Sequence, residues 1–193
     1  MRRRIIKSIM VVMAGITCLA GLTKAQDVPE DSLLHRGRNL FYTAVESEVA
    51  LDSAQAAFKQ LLSEYSQEYG GRAQTYIGAL TALRGKHALW PQKKYKYVME
   101  GIDQMESGVA ANPNDIESLF IYGSTCYHLP SFFGKSKEAQ EAFRQIVALL
   151  PEHADQYDAD MMENVIEFLR ANANLDSSDM MTLSTIAKEL GNG

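Results

Sequence analysis

Cysteine is scarce in this chain: Cys18 and Cys126 are its only two. Cys18 lies in an N-terminal stretch expected to be removed, which leaves one thiol and excludes a disulfide within the remaining chain. Stability must then come from a packed core. Positive charge is scarce as well. Residues 26–193 carry 14 Lys and Arg against 24 Asp and Glu, a net charge of −10 with His neutral. A surface that acidic repels phosphate backbones and speaks against nucleic-acid binding. Period-two alternation of β-branched residues is missing after residue 30, which speaks against strands. There is no glycine-rich phosphate loop and no G-x-S-x-G nucleophile turn. The histidines, His35, His87, His128 and His153, form no pair at helical metal-ligand spacing.

What is present begins with an address. Met1-Arg2-Arg3-Arg4 precedes an apolar stretch from Ile5 to Leu22, and Thr23-Lys24-Ala25 supplies small residues before a polar run. This is the pattern of a secretory signal peptide over residues 1–25, cleaved after Ala25, with residues 26–30 as a short linker. Nothing downstream reads as a second membrane segment, so the mature chain is expected to have no transmembrane segment and to be periplasmic or secreted. A minor alternative makes Cys18 the lipid-bearing residue of a lipoprotein, although Gly15-Ile16-Thr17 matches the usual preceding residues poorly.

The rest, residues 31–193, reads as one helical domain. Leu33, Leu34, Leu40, Phe41, Ala44 and Val45 share a face of a first helix. Ala54, Ala57, Phe58, Leu61, Leu62 and Tyr65 share one of a second, which is expected to stop near Gly70-Gly71. The spacing predicts further helices over about 72–88, 94–111 and 116–127, the last capped by Asn114 or Asp115. A sixth, capped by Ser136, carries Ala139, Ala142, Phe143, Ile146 and Leu150 and stops at Pro151. Helices at about 155–171 and 178–190 follow, the latter capped by Ser177 or Ser178 and closed by a left-handed Gly191.

A register recurs through these helices. Gly123, Ala139-x-x-x-Phe143, Ile146 and Pro151 follow the tetratricopeptide consensus of a small Gly, then A-x-x-x-F, then Pro. Gly37 with Ala54-x-x-x-Phe58 matches more loosely. Gly78 and Pro113 match with Gly101 and Met105 in the Ala and Phe places. Over residues about 31–151 the chain therefore resembles the tetratricopeptide-like superfamily, in a divergent form that lacks the opening Trp. It is also distantly similar to small exported helical-repeat proteins of Gram-negative bacteria and to periplasmic accessory proteins of TRAP-type transporters. The resemblance implies an all-α, right-handed stack of antiparallel hairpins, about 31–69, 71–112 and 114–151, with C-terminal capping helices. Relative to the repeat length, about five, eleven and four additional residues are expected in the turns inside the three pairs.

In such a stack the turns within pairs emerge on one edge. Two of them combine proline, aromatics and lysines: Trp90, Pro91, Lys93 and Lys94 in one, Pro130, Phe132, Phe133, Lys135 and Lys137 in the other. These side chains either anchor a partner or fold under to close each hairpin, and the second is the expectation taken here. The first helices of the pairs would line an inner face. By register it holds Leu34, Arg38, Phe41 and Tyr42; Arg72, Thr75, Ala79 and Ala82; and Glu117, Phe120, Ser124, Tyr127 and His128. An apolar floor with Tyr, Arg and His suits a peptide or a small molecule, unless later helices cover it.

Catalytic chemistry has no positive support in the sequence. Cys126 and His128 have one residue between them and point to different helix faces, so a buried core cysteine is the expectation. The acid-rich stretch at 152–164 lacks the Gly and bidentate Glu of a calcium loop. The sequence thus points to a non-enzymatic exported adaptor, with no cofactor, binding another envelope or secreted protein. The alternative is a small-molecule-binding accessory protein of an envelope transport system.

Overall fold

The computed structural model describes residues 30–191. The expected signal peptide and Cys18 lie outside the described residues, as does the linker apart from Glu30, which already belongs to the first helix. Eight α-helices account for nearly all of the described residues, and no strand occurs among them. They are α1 Glu30–Glu46, α2 Glu48–Glu64, α3 Ser66–His87, α4 Pro91–Ala111, α5 Ile116–His128, α6 Ser136–His153, α7 Ala159–Asn172 and α8 Ser177–Leu190. Single 3-10 turns sit at Ser131–Phe133 and Ala154–Gln156. No helix among the described residues is long and apolar enough to cross a membrane.

Helices α1 and α2, α3 and α4, and α5 and α6 pack as pairs, and α3 also touches α1, α2 and α5. In each pair a glycine of the first helix meets one large side chain of the second. A Cβ at Gly37 would stand 2.8 Å from the Phe58 ring, one at Gly78 2.8 Å from Met105 Cγ, and one at Gly123 2.9 Å from the Phe143 ring. Phe58, Met105 and Phe143 are fully buried. Each such burial contributes roughly 1.5–3 kcal/mol, and the hydrogen at the glycine is what gives the large side chain its place.

The α3–α4 pair is tighter than the others. Gly71, Gly78 and Gly85 recur every seventh residue on α3, facing Gly108, Gly101 and Lys94 on α4. A Cβ at Gly71 would lie 2.8 Å from the Gly108 carbonyl oxygen, and one at Gly78 2.6 Å from the Met105 amide. The two backbones are in contact along about four helical turns, a spacing only glycine permits. This corrects the expected break at Gly70-Gly71. The helix breaks at Tyr65 instead, and Gly71 is an interior contact residue of α3.

The long turns expected inside the first two pairs are absent. A single residue, Ser47, separates α1 from α2, and residues 88–90 alone separate α3 from α4. Only the α5–α6 connection, residues 129–135, is long. Several ends differ from expectation. Pro151 does not stop α6, which runs on to His153. Lys135 rather than Ser136 occupies the cap position of α6, with no side-chain bond. Asp176 caps α8 in a reciprocal box with Asp179, because its carboxylate accepts from the amides of Ser178 and Asp179. Gly191 is right-handed, with φ −77°, so the left-handed closure expected there is absent. Asp115 caps α5, accepting from the Ser118 amide.

Candidate functional site: an apolar groove and the charged cluster behind it

Helix α3 presents its smallest residues, Ala79, Ala82 and Gly85, toward the ends of α1 and α5. Nothing large fills the space above them, and a groove of about 1070 Å³ results. Phe41, Tyr42 and Val45 of α1 form one wall, and Phe120, Ser124, Thr125 and His128 of α5 the other. Lys86, Pro91, Lys94, Tyr95 and Val98 close it on the α3–α4 side. Leu129, Pro130, Phe132 and Phe133 of the long connection form its rim, and Phe168 of α7 reaches in from beyond α5. The walls are held by ring contacts. Phe120 and Phe168 meet edge to face at 5.3 Å, and Tyr95 stacks on Phe133 at 5.5 Å.

The ionisable side chains lining the groove are Lys86, Lys94, His128 and two tyrosines, with no carboxylate among them. On a chain this acidic, that exclusion is a pronounced local bias. Lys86 donates to the Val45 carbonyl at 2.6 Å and faces Glu46 at 3.5 Å. The Lys94 ammonium has no hydrogen-bond or ion-pair partner among the described residues, although its backbone amide donates to the Trp90 carbonyl.

The residues expected on the inner face divide in two. Phe41, Tyr42, Ala79, Ala82, Phe120, Ser124 and His128 line the groove. Arg38, Arg72 and Glu117 do not, which corrects their placement on an open face. Glu117 is buried, and its carboxylate receives Arg38 at 2.5 and 2.6 Å, Arg72 at 3.1 Å and the Tyr76 hydroxyl at 2.6 Å. Arg72 also binds Asp115 in a bidentate pair, and the Tyr157 hydroxyl donates to Asp115 at 2.8 Å while accepting the Ile116 amide. The physical reason is local. Two acids at the start of α5 sit beneath two arginines from α1 and α3, so all four charges are consumed in one buried cluster. Leu34 and Thr75 are likewise buried in packing, and Tyr127 points toward Phe143 and Phe168.

Burial would raise the Asp115 carboxyl, but the Arg72 guanidinium with Ser118 and Tyr157 holds it below the usual carboxylate range. Burial, reinforced by Glu117, keeps the Tyr76 hydroxyl protonated far above its ordinary value. The Cys126 thiol, pushed up to about 12 chiefly by burial, stays protonated beside α6, while His128 sits exposed at the groove. They do not form a nucleophile pair. Among the described residues, no group of three or more His, Cys, Asp or Glu is placed to hold a metal ion.

The aromatic turns are not tucked under, contrary to expectation. Trp90 is 65% exposed and Phe132 73%, with only Phe133 half-buried against Tyr95. The reason lies in the α3–α4 glycines: a Cβ at Gly85 would already stand 3.1 Å from the Lys94 carbonyl, so the hairpin end has no hollow for Trp90 to fill. Trp90 itself does not line the groove, but Pro91 and Lys94 beside it do. Lys93 is exposed. Lys135 departs from the expected edge: it is half-buried and paired with Glu106 at 2.8 Å and Glu138 at 3.6 Å, on the side of α4 and α6.

Sequence reasoning missed Val45, Lys86, Tyr95, Val98 and Phe168 as groove residues. Phe168 had no signal, since α7 follows the recurring register. Lys86 and Tyr95 flank the Trp90 turn and were legible once the turn was placed. No family model, no curated protein and no solved structure matches this chain.

Proposed function

We propose that this chain is a non-catalytic, exported helical-repeat adaptor of the tetratricopeptide-like kind, holding an apolar segment of another envelope or secreted protein in its groove. The observation that carries this reading is the groove itself: about 1070 Å³, aromatic-walled and continuous from α1 to the 129–135 connection. That volume is at or above the upper end of the roughly 300–1,000 Å³ usual for small-ligand pockets, and the groove lies along hairpin first helices. The three equivalent contacts, Gly37 on Phe58, Gly78 on Met105 and Gly123 on Phe143, support the repeat reading, with the hairpins stacked so that the turns share one edge.

A photo-crosslinking side chain placed at Thr125, inside the groove, is expected to capture a protein segment that the same group at exposed Ser63 does not. Ser124→Phe, which fills the groove, should abolish that capture. Equal capture at both positions, or capture undiminished by Ser124→Phe, overturns the reading.

One observation favours a second reading, a small-molecule-binding accessory protein of an envelope transport system. The lining holds Lys94 and His128 and no carboxylate, which suits a small organic anion with an apolar body. Thermal-shift screening against such anions separates the two, because a true ligand raises the melting temperature progressively, with the logarithm of its concentration above Kd.

A further inference from the structure

The turn between α3 and α4 combines exposed apolar and exposed basic side chains. Its tip carries Leu89, 89% exposed, next to Trp90, 65% exposed, the sole tryptophan of the chain. Exposed Lys93 and Lys94 follow within one helical turn, and neither has an ion-pair partner among the described residues. No Asp or Glu occurs between Glu68 and Glu100, although the chain holds 24 of them. The neighbouring turn adds Phe132, brought to the same edge by the Tyr95–Phe133 stack.

We infer that this edge docks on an anionic lipid surface, with Leu89, Trp90 and Phe132 entering the headgroup region and Lys93 and Lys94 meeting lipid phosphates. The chemistry matches side chain by side chain. Tryptophan settles at membrane interfaces because its ring is apolar and its N–H polar. A lysine stem lies along apolar surface while its ammonium reaches back to phosphate. Each lysine near an anionic bilayer contributes on the order of 1 kcal/mol. Shape decides between a lipid surface and an acidic protein. The tip is a convex, three-residue turn, residues 88–90, between two long helices. A protein partner would need an apolar pit beneath an acidic rim fitted to that tip, whereas an anionic bilayer presents both layers at every point. The inference does not rest on what fills the groove.

Trp90 is its own probe. The full chain is titrated with vesicles of phosphatidylcholine alone, vesicles containing phosphatidylglycerol, and soluble poly-glutamate. Residues 1–25 contain no tryptophan, so the emission comes from Trp90, and its dependence on Lys93 and Lys94 separates docking of the edge from anchoring by that apolar stretch. The expected result is a shift of Trp90 emission to shorter wavelength on phosphatidylglycerol vesicles only. Lys93→Glu with Lys94→Glu should weaken the titration at least roughly tenfold, and Leu89→Ser should reduce the shift. These exposed positions leave the fold intact, which circular dichroism checks. Unchanged emission at saturating phosphatidylglycerol overturns the inference, as does a titration indifferent to the two lysines. An equal shift on poly-glutamate overturns it in favour of an acidic protein partner.

Discussion

The two ends of helices α3 and α5 handle polarity in opposite ways. At their starts, Arg72, Asp115 and Glu117 join Arg38 in a buried cluster where every charge has an opposite within hydrogen-bonding distance. At their finishes, Lys86, Lys94 and His128 stand around an aromatic groove from which carboxylates are excluded. One end is closed and internally satisfied; the other is open, with Lys86 held by Glu46 and the Val45 carbonyl and the Lys94 ammonium without a partner among the described residues. The first is what a fold needs to fix three hairpins against one another. The second leaves aromatic and basic side chains facing solvent.

The comparison breaks most visibly at Glu117. Replacing it with Ala removes the acceptor for Arg38 and Tyr76 and half the neutralisation of Arg72. Breaking a buried pair by deleting one partner costs about 3–5 kcal/mol, and chemical denaturation should show a loss of that size. If Glu117→Ala unfolds at the wild-type midpoint, the closed end is not what holds the hairpins together.

Second in size is Gly78→Ala, between the two ends. The new methyl would sit 2.6 Å from the Met105 amide and 2.7 Å from the Gly101 carbonyl, both backbone, so the helices must part. Overpacking of this kind costs about 1–3 kcal/mol. Because the same seam runs on to Gly85 beneath the turn, hydrogen exchange at residues 88–90 should accelerate in the variant. A loss of stability without that change would mean the seam does not govern the open end.

A smaller effect follows from acid. The folded-state pKa of Asp115 is depressed from the ordinary 3.8, so its contribution to stability is complete above that value. It drains as pH falls below 3.8 and is gone once pH passes the folded value. Urea midpoints measured from pH 6 to pH 2.5 should fall more steeply in the wild type than in Asp115→Asn. Parallel curves would remove Asp115 as a source of the acid dependence.

How much of this was legible in the sequence differs between the ends for a physical reason. Helices and their buried faces followed from apolar spacing, because each face is set by residues three and four apart. The closed end did not follow, because Arg38 and Glu117 are 79 positions apart and Arg72 and Asp115 are 43 apart. A lone arginine on a helix carries no mark of its distant acid. Glycines misled in a consistent direction. By sequence Gly70-Gly71 read as a break and Gly191 as a left-handed cap, yet the one left-handed glycine among the described residues is Gly134, at φ 70° in the long connection. Gly71 is instead selected for what lies across from it, and periodicity along one helix does not display the neighbouring helix. The same seam leaves Trp90 outside, where its own sequence neighbourhood gives no sign of the closed hairpin beneath it.

The smallest expected effect is the most discriminating. Trp90→Ser with Phe132→Ser removes two large aromatic side chains, a change that in a core would cost several kcal/mol. Here both rings are mostly in water, at 65% and 73% exposure, and the hairpin beneath Trp90 is already sealed by Gly85. The unfolding free energy of the double variant should therefore stay within about 0.5 kcal/mol of the wild type, as for surface substitutions generally. Differential scanning calorimetry on the matched chains decides it. A loss of more than about 1 kcal/mol would show that the open end is a structural lid and not a free surface. The contrast between a satisfied end and an offered end would then collapse to two modes of the same internal packing. An unchanged midpoint instead leaves these rings with no structural reason to be aromatic.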